Sequence, residues 1–526
     1  MPGESKPDRS AWVLVALILA AAVANLNLAV ANVALPTIGQ AFGASQTELN
    51  LIAVGYSLGL AASVLYLGAI GDRYGRKLLL LVGTAASIPL AFLAAYATDP
   101  TMLIVARILG GVTGGLCYPT TLALVAALWS GAGRTKAIAL WSAIGAAFAS
   151  LGPLLSGVLL QHFSWGAVFL VTVPIALLAF AMAWVFVPAH VNEGTEPVDN
   201  LGGILSIVLV ASLILAINFA VVPDKGTLAI GLALVSVAGL GAFVIRQRRA
   251  ANPLYDLEVA ARPTFWVAAV AGIIVFGSLM GAMFIGQQFL QNVLGYSTVE
   301  AGAAVLPAAV LMILVAPRSA RLVVVIGSRN TLLLGDLFVF LGFATMLLLW
   351  KEGSAYWQVA LGYALVGIGV GFAATPAAHS LTGSVPPTRV GMASGTADLQ
   401  RDLGGALMQS VFGALLTAGY AAAFTAAIAS SSSDTATVSA ATQSQLTKSF
   451  ASADAVAVQY PQYASQITAA AKASFLDGDQ WAYLAGLVAV ALGAALVFLF
   501  FPKREAEAAL VAGYELADTP PDDPLT

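Results

Sequence analysis

Between Leu78 and Thr98 the chain carries no Asp, Glu, Lys or Arg, and the same holds from Leu49 to Gly71 and from Ala137 to Asn192. A helix needs about 20 apolar residues to cross a hydrocarbon core of about 30 Å. The longest of these runs is broken softly at Gln161-His162-Phe163-Ser164-Trp165 and therefore reads as two crossings. Continued along all 526 residues, such runs predict fourteen spans, starting near residues 12, 49, 78, 100, 137, 165, 200, 226, 264, 300, 330, 356, 393 and 480. The first, Ala11 to Leu35, is longer than a cleavable signal core and lacks a small-residue cleavage site, so it is expected to remain as a span. Hydrophobic residues make up 59% of the chain and charged ones 9%, far below the quarter or so typical of soluble domains. The expected fold class is an all-α polytopic membrane protein.

Orientation follows from the 23 lysines and arginines. Arg107 and Arg401 fall within spans. Four others (Lys225, Lys351, Lys448, Lys472) fall on one side and the remaining seventeen on the opposite side. Positive loops stay inside, so the chain is expected to be a multi-pass protein of the cell's inner (cytoplasmic) membrane with both termini cytoplasmic. A net charge of −3 leaves no basic excess for nucleic acid. One cysteine, Cys117, excludes a disulfide framework, and His162, His190 and His379 share no helical spacing, so no metal site is expected. No phosphate-cradling Gly-rich loop with Lys-Ser/Thr occurs, and no clustered catalytic set, so neither ATP, a cofactor nor an enzymatic activity is implied.

Residues from about 425 to 478 form one long Ala/Ser/Thr/Gln-rich segment containing Ser430-Ser431-Ser432-Ser433-Asp434. It is expected to be an outer loop of partial helix with a mobile Ser-rich tip, which Phe450, Tyr460 and Tyr463 can pack over the protein. The tail after Glu505 starts helix-like and ends in a Pro/Asp-rich stretch that reads as disordered.

Between spans two and three lies Gly68-Ala-Ile-Gly-Asp72-Arg73-Tyr-Gly75-Arg76-Lys77. Gly75 can supply the positive φ of a tight reversal. Asp72 can pair with Arg76 or a neighbouring helix, while Arg73 and Lys77 face headgroups. This loop resembles the signature loop of the major facilitator superfamily, in which the acid latches two halves at the inner face. Leu26-Asn27-Leu-Ala-Val-Ala-Asn32-Val-Ala-Leu-Pro36, Arg107-Ile-Leu-Gly-Gly111-Val-Thr-Gly114-Gly115 and Leu151-Gly152-Pro153-Leu-Leu-Ser-Gly157 are similar to the span-one, span-four and span-five motifs of its fourteen-span drug:proton antiporter family. Gln291-Asn-Val-Leu-Gly295-Tyr296-Ser297 with Ala301, Gly302 and Pro307, and Arg401-Asp-Leu-Gly404-Gly405, match its second half.

The resemblance implies two six-helix bundles, 11–187 and 263–502, with two inserted spans and their linkers at 188–262, a cytoplasmic N-terminus at 1–10 and a cytoplasmic tail at 503–526. A substrate site is then expected near the midplane between the bundles, with alternating access by rocking. Pro317-Arg-Ser-Ala-Arg321 to Gly327-Ser-Arg329 occupies the slot equivalent to the Asp72 loop but lacks its acid. Gly152, Pro153 and Gly157 permit a bend and a close helix contact; they read either as an ordinary kink or as part of the outer gate.

Intramembrane charge is expensive and marks function by default. Arg107 is read either as a snorkelling side chain or as an element of substrate or proton coupling, together with Asn27 and Asn32. Asn27 stands where the resembling antiporters carry an acid. Arg107 is accordingly expected to face the cavity as counter-ion for an anionic or zwitterionic substrate, with proton coupling absent or moved to an acid such as Asp398 or Glu300. Asp398, Arg401 and Asp402 form a second-half network, read as an inner gate or structural cluster as readily as a binding site, in which Asp398 pairs with Arg401 along one helix face. Tyr118, Gln287, Gln288 and Gln291 are candidate cavity residues. The expected function is export of hydrophobic or amphipathic small molecules (drugs, dyes or natural products) by a proton-driven monomer in the bilayer, the alternative being export of a lipid or anionic amphiphile.

Overall fold

The computed structural model describes residues 10–129, 131–189, 197–385, 390–430 and 439–518. His190, the Ser-rich tip after Ser430 and the chain end after Asp518 lie outside the described residues. The described part is helical: α1 (Ser10–Phe42), α2 (Gln46–Tyr74), α3 (Arg76–Ala95), α4 (Pro100–Leu128), α5 (Gly131–His162), α6 (Ala167–Leu170) and α7 (Thr172–Phe186) come first. They are followed by α8 (Asn200–Phe219), α9 (Gly226–Arg249), α10 (Leu257–Ala260), α11 (Pro263–Asn292), α12 (Thr298–Ala304), α13 (Leu306–Leu349), α14 (Tyr356–Gly383) and α15 (Val390–Ser430). The chain closes with α16 (Ala440–Lys448), α17 (Phe450–Gln459), α18 (Ala464–Phe500) and α19 (Arg504–Asp518).

The helix starts follow local chemistry. Ser45 and Glu48 form a reciprocal capping box at α2, Ser297 and Glu300 do so at α12, and Asp99 caps α4 ahead of Pro100. Gly75, at φ 113°, makes the reversal between α2 and α3.

Twelve described stretches are long and apolar enough to cross a membrane, against the fourteen expected. Two features bear on the difference. The 52-residue stretch Thr298–Leu349 is interrupted at Gly327, φ 85°. A Cβ on Gly367 would meet Ala308 of α13, and one on Gly369 would meet Gly335 and Val339, so both parts of α13 lie beside the same turn of α14 and the chain doubles back at Gly327. The 32-residue helix α5 occupies the place expected for span five.

Helices α1–α7 pack into one bundle and α11–α15 with α18 into another. Glycines allow the closest approaches. A Cβ on Gly59 would fall 2.0 Å from the Ile108 carbonyl, and one on Gly111 would fall 2.1 Å from that of Tyr56, which binds α2 tightly to α4. The bundles meet where α2 packs on α15 and α5 on α12. The inserted pair α8–α9 flanks the first of these seams. Tyr66 of α2 donates to Asn200 of α8 (2.9 Å), and Asn218 of α8 donates to Ser410 of α15 (2.8 Å). At the arginine-rich end of α9, Asp199 accepts from Arg246 (2.8 Å) and Gln247 (3.1 Å).

The described part of the segment 425–478 is largely helix: α15 runs on to Ser430, α18 starts at Ala464, and α16 and α17 form a cap between them. Lys448 and Ser449 donate to the Gly43 and Ala44 carbonyls between α1 and α2, so the cap ties the two bundles at the end opposite the Asp72 loop. Residues Pro317 to Ile326 are helix rather than loop, and the reversal is confined to Gly327. The acid missing from that slot arrives from the tail: Glu507 of α19 accepts from the Ser328 amide (3.3 Å), and Arg504 donates to the Val325 carbonyl (2.8 Å).

Candidate functional site

Between α2 and α3, the Asp72 carboxylate accepts from Arg76 at 2.9 Å within its own loop, and its side chain is 53% exposed. Arg76 reaches the Ala123 carbonyl of α4 (3.5 Å), Arg73 lies beside the Tyr74 ring, and Gly68 faces open space. Lys77 donates to the Trp184 carbonyl of α7 (2.9 Å) instead of facing headgroups. These partners of Asp72, Arg76 and Lys77 all belong to the first bundle.

The span-five motif differs, because it lies directly in the contact between bundles. A Cβ on Gly157 would fall 2.3 Å from the Thr298 carbonyl of α12, and one on Gly302 would fall 2.4 Å from that of Pro153. A Cβ on Gly152 would crowd Ala29 of α1 at 2.7 Å. Thr298 also donates to the Gly157 carbonyl (2.8 Å). The three glutamines expected to line a cavity make hydrogen-bonded ties in this region, Gln287 and Gln288 buried and Gln291 partly so. Gln288 accepts from Gln46 of α2 (2.9 Å), Gln291 donates to the Val33 carbonyl of α1 (3.0 Å), and Gln287 donates to the Ala301 carbonyl (2.9 Å). Glu300, a candidate proton carrier, serves the α12 capping box.

Arg107 is 2% exposed. Its guanidinium donates to the backbone carbonyls of Asn27 (2.8 Å) and Ile52 (3.2 Å) and lies 5.1 Å from the Tyr56 ring and 5.6 Å from the Phe169 ring. The small pocket beside it, which Asn27 also borders, is lined entirely by α1–α4 and α6. The cation therefore stitches the interior of the first bundle instead of facing the space between bundles, and it does not snorkel. Asn27 spends its side-chain amide on the Val23 carbonyl (3.0 Å), while the buried Asn32 Oδ1 and Arg107 Nη2 lack hydrogen-bond partners.

Within the spans, a charge that does bridge the bundles is Arg401, on α15. It donates to the Tyr118 hydroxyl of α4, lies 4.2 Å from that ring's centroid, and reaches Asn25 Oδ1 of α1 at 3.5 Å. Its carboxylate partner is Asp402 (3.1 Å) and not Asp398, the pairing expected from helical spacing. Asp398 and Asp402 are both buried. Trp141 of α5 packs 5.3 Å from Tyr118 and spends its indole N–H on Thr121 (3.0 Å). A planar cation, two acids, a phenol, an amide and an indole thus converge between bundles. Such a set can hydrogen-bond, exchange protons and stack on an organic cation.

Asn25 was not legible as a site residue, since a lone amide in an Ala-rich span has no partner in sequence. Asp479 is a second omission. Span fourteen is expected to begin near 480, which leaves this acid in a loop, yet α18 begins sixteen residues earlier and buries it to 1% exposure.

The model of the Major Facilitator Superfamily matches residues 17–409. The multidrug efflux pump LfrA of Mycolicibacterium smegmatis is 32% identical over 424 residues, 80% of this chain and 83% of that protein. The multidrug resistance protein Stp of Mycobacterium tuberculosis is 31% identical over 75% of this chain and 73% of its own length. The methyl viologen resistance protein SmvA of Salmonella typhimurium is 30% identical over 78% and 83%. Among solved structures, a bacterial homolog to the human lysosomal transporter Spinster matches with a TM-score of 0.62 at 18% identity, covering 99% of this chain and 100% of that one.

Proposed function

The chain belongs to the Major Facilitator Superfamily, and from that premise we propose that it exports hydrophobic or amphipathic small molecules across the cytoplasmic membrane by alternating access. In this reading it is a proton-driven monomer with both termini cytoplasmic, and the bundles 11–187 and 263–502 rock about the site at Arg401. The observation that carries the reading is the Arg401–Tyr118–Asn25 contact, a charged crossing between bundles. The multidrug relatives support the same assignment.

The state described is sealed outside by the Gly157–Thr298 and Gly302–Pro153 contacts, while Asp72 is paired within its own loop. Rocking would break the first contacts and bring Asp72 to the other half. Two acids, Asp398 and Asp402, face one cation at the site. That balance favours cationic amphiphiles over anionic ones, and the enclosure of Arg107 removes the counter-ion on which the anionic reading relied. A cationic substrate and a proton would compete for the same carboxyls, which is the minimal requirement for exchange.

The test is transport of a panel of lipophilic cations and anionic amphiphiles into inverted membrane vesicles, at fixed membrane potential, with the pH gradient present or collapsed. Gradient-dependent uptake of the cations supports the proposal. Uptake of anions alone, or of nothing, refutes it.

A further inference from the structure

Asp479 of α18 is fully enclosed in the second bundle, and neither of its carboxyl oxygens has a hydrogen-bond partner. The hydroxyls of Tyr363 on α14 and Tyr483 on α18 are likewise buried and unpartnered. Tyr483 sits one helical turn from the acid, on the same face. Trp350 packs 5.3 Å from the Tyr363 ring and 5.9 Å from that of Tyr483, with Phe289 of α11 stacked 5.1 Å behind it. Trp350 spends its N–H on the Gln358 carbonyl (3.2 Å), so it offers Asp479 no donor. From α15, Leu416 and Tyr420 pack at Gly478, beside the acid. The charged neighbours along α18 are Asp477, on an exposed position, and Lys472, which is 3.5 Å from Glu352.

A carboxylate with no cation and no donor in an apolar interior is costly, whereas the neutral acid is tolerated and can donate a hydrogen bond. Two phenols stand within the same cluster to receive it. Nothing in the midplane contact around Arg401 uses this acid. We propose that Asp479 is a proton-binding site of the second bundle, with Tyr363 and Tyr483 as its hydrogen-bond partners. The step is proton transfer alone: one O–H bond forms as the carboxylate takes a proton arriving from the outer side, and the same bond breaks on release. In the state described, the contacts at Gly157 and Gly302 are closed and the acid is enclosed. Gly419 of α15 packs on Gly478 without side-chain bulk, so a small separation of α15 from α18 admits water to the acid. The inference rests on the proton-driven reading above and adds a carrier distinct from Asp398 and Asp402.

The experiment uses the full-length chain in liposomes and has two readouts. Infrared difference spectra between acid and alkaline pH are recorded for wild type, Asp479→Asn and Tyr483→Phe. Uptake of ethidium, a lipophilic cation, is measured under an imposed pH gradient. The expected result is a titrating carboxylic-acid C=O band that Asp479→Asn removes and Tyr483→Phe shifts in frequency, with at least ten-fold slower gradient-driven uptake in Asp479→Asn. In Tyr483→Phe that inserts and keeps the wild-type melting temperature, a shifted band reports the lost hydrogen-bond partner, so this variant decides the matter if Asp479→Asn does not insert. A spectrum without an Asp479-dependent band, or wild-type gradient-driven uptake by Asp479→Asn, overturns the proposal. Should the wild type move no panel compound under any gradient, the exporter reading fails, and the band still decides on Asp479.

Discussion

Arg401 lies 4.2 Å from the centroid of the Tyr118 ring and donates to the hydroxyl of the same residue, so one side chain of α15 binds both the face and the edge group of one side chain of α4. Because these helices belong to different bundles, the contact must change whenever the bundles rock. Arginine suits the role through its planar fork, which stacks and donates at once; lysine can donate but not stack in that way.

The first prediction concerns that pair. Arg401→Gln and Tyr118→Phe should each slow transport, the arginine change by at least about ten-fold, since it also leaves Asp402 buried without its cation. Because the two residues act through one contact, the double variant should be little worse than Arg401→Gln alone. Initial transport rates normalised to inserted protein check this. Fully multiplicative losses would separate the two residues.

At the outer contact, a methyl group added at Gly157 would fall 2.3 Å from a backbone carbonyl that cannot rotate away. Gly157→Ala and Gly302→Ala should therefore hold the bundles apart outside, at an overpacking cost of about 1–3 kcal/mol. A cysteine placed at Thr298 should react faster with a membrane-impermeant thiol reagent in these backgrounds. Equal labelling rates would show that the contact tolerates the added atom.

For the inner loop, Asp72→Asn removes an exposed pair with Arg76, worth about 0–1 kcal/mol. Thermal stability in detergent should consequently change little, while transport falls because the acid can no longer latch the other half. Normal transport by a normally inserted variant would contradict the latch.

Arg107 gives the opposite pattern. Its bonds to the Asn27 and Ile52 carbonyls are buried, and hydrogen bonds to charged groups contribute about 1.5–3 kcal/mol each. Arg107→Gln should lower the melting temperature markedly. Asn27→Asp, which brings a carboxylate beside the unpartnered Nη2, should raise it. A stability change near zero in both, with a shift in substrate preference instead, would restore Arg107 to the substrate site.

Much of the architecture is legible in sequence because charge-free runs and Gly-bearing reversals are local properties. Gly75 adopts the positive φ expected of its motif, and Gly327 adopts one at the corresponding slot of the second bundle. What is not legible depends on tertiary neighbours. An amide looks the same in sequence whether it lines a cavity or ties two helices, so Gln287, Gln288 and Gln291 are recognisable as polar but not as closure residues. Helical spacing favours Asp398 as the partner of Arg401, yet the side chain turns to Asp402, because its other end is drawn across to Tyr118 and Asn25. Asp479 reads as a loop residue since hydropathy counts the acid against the span. In the structure α18 begins at Ala464, so the acid lies within a helix packed on α15. The acid that completes the Gly327 slot comes from Glu507, distant in sequence, and no local pattern announces it.

The central claim is that a gradient-driven exporter works through the Arg401 contact between bundles. Its most direct test is ethidium uptake into liposomes holding the purified full-length chain, with the pH gradient imposed and then collapsed, in wild type and in Arg401→Gln. The account predicts uptake that stops when the gradient is collapsed and is at least ten-fold slower in Arg401→Gln. Uptake that ignores the gradient, or that Arg401→Gln sustains at the wild-type rate, would contradict it.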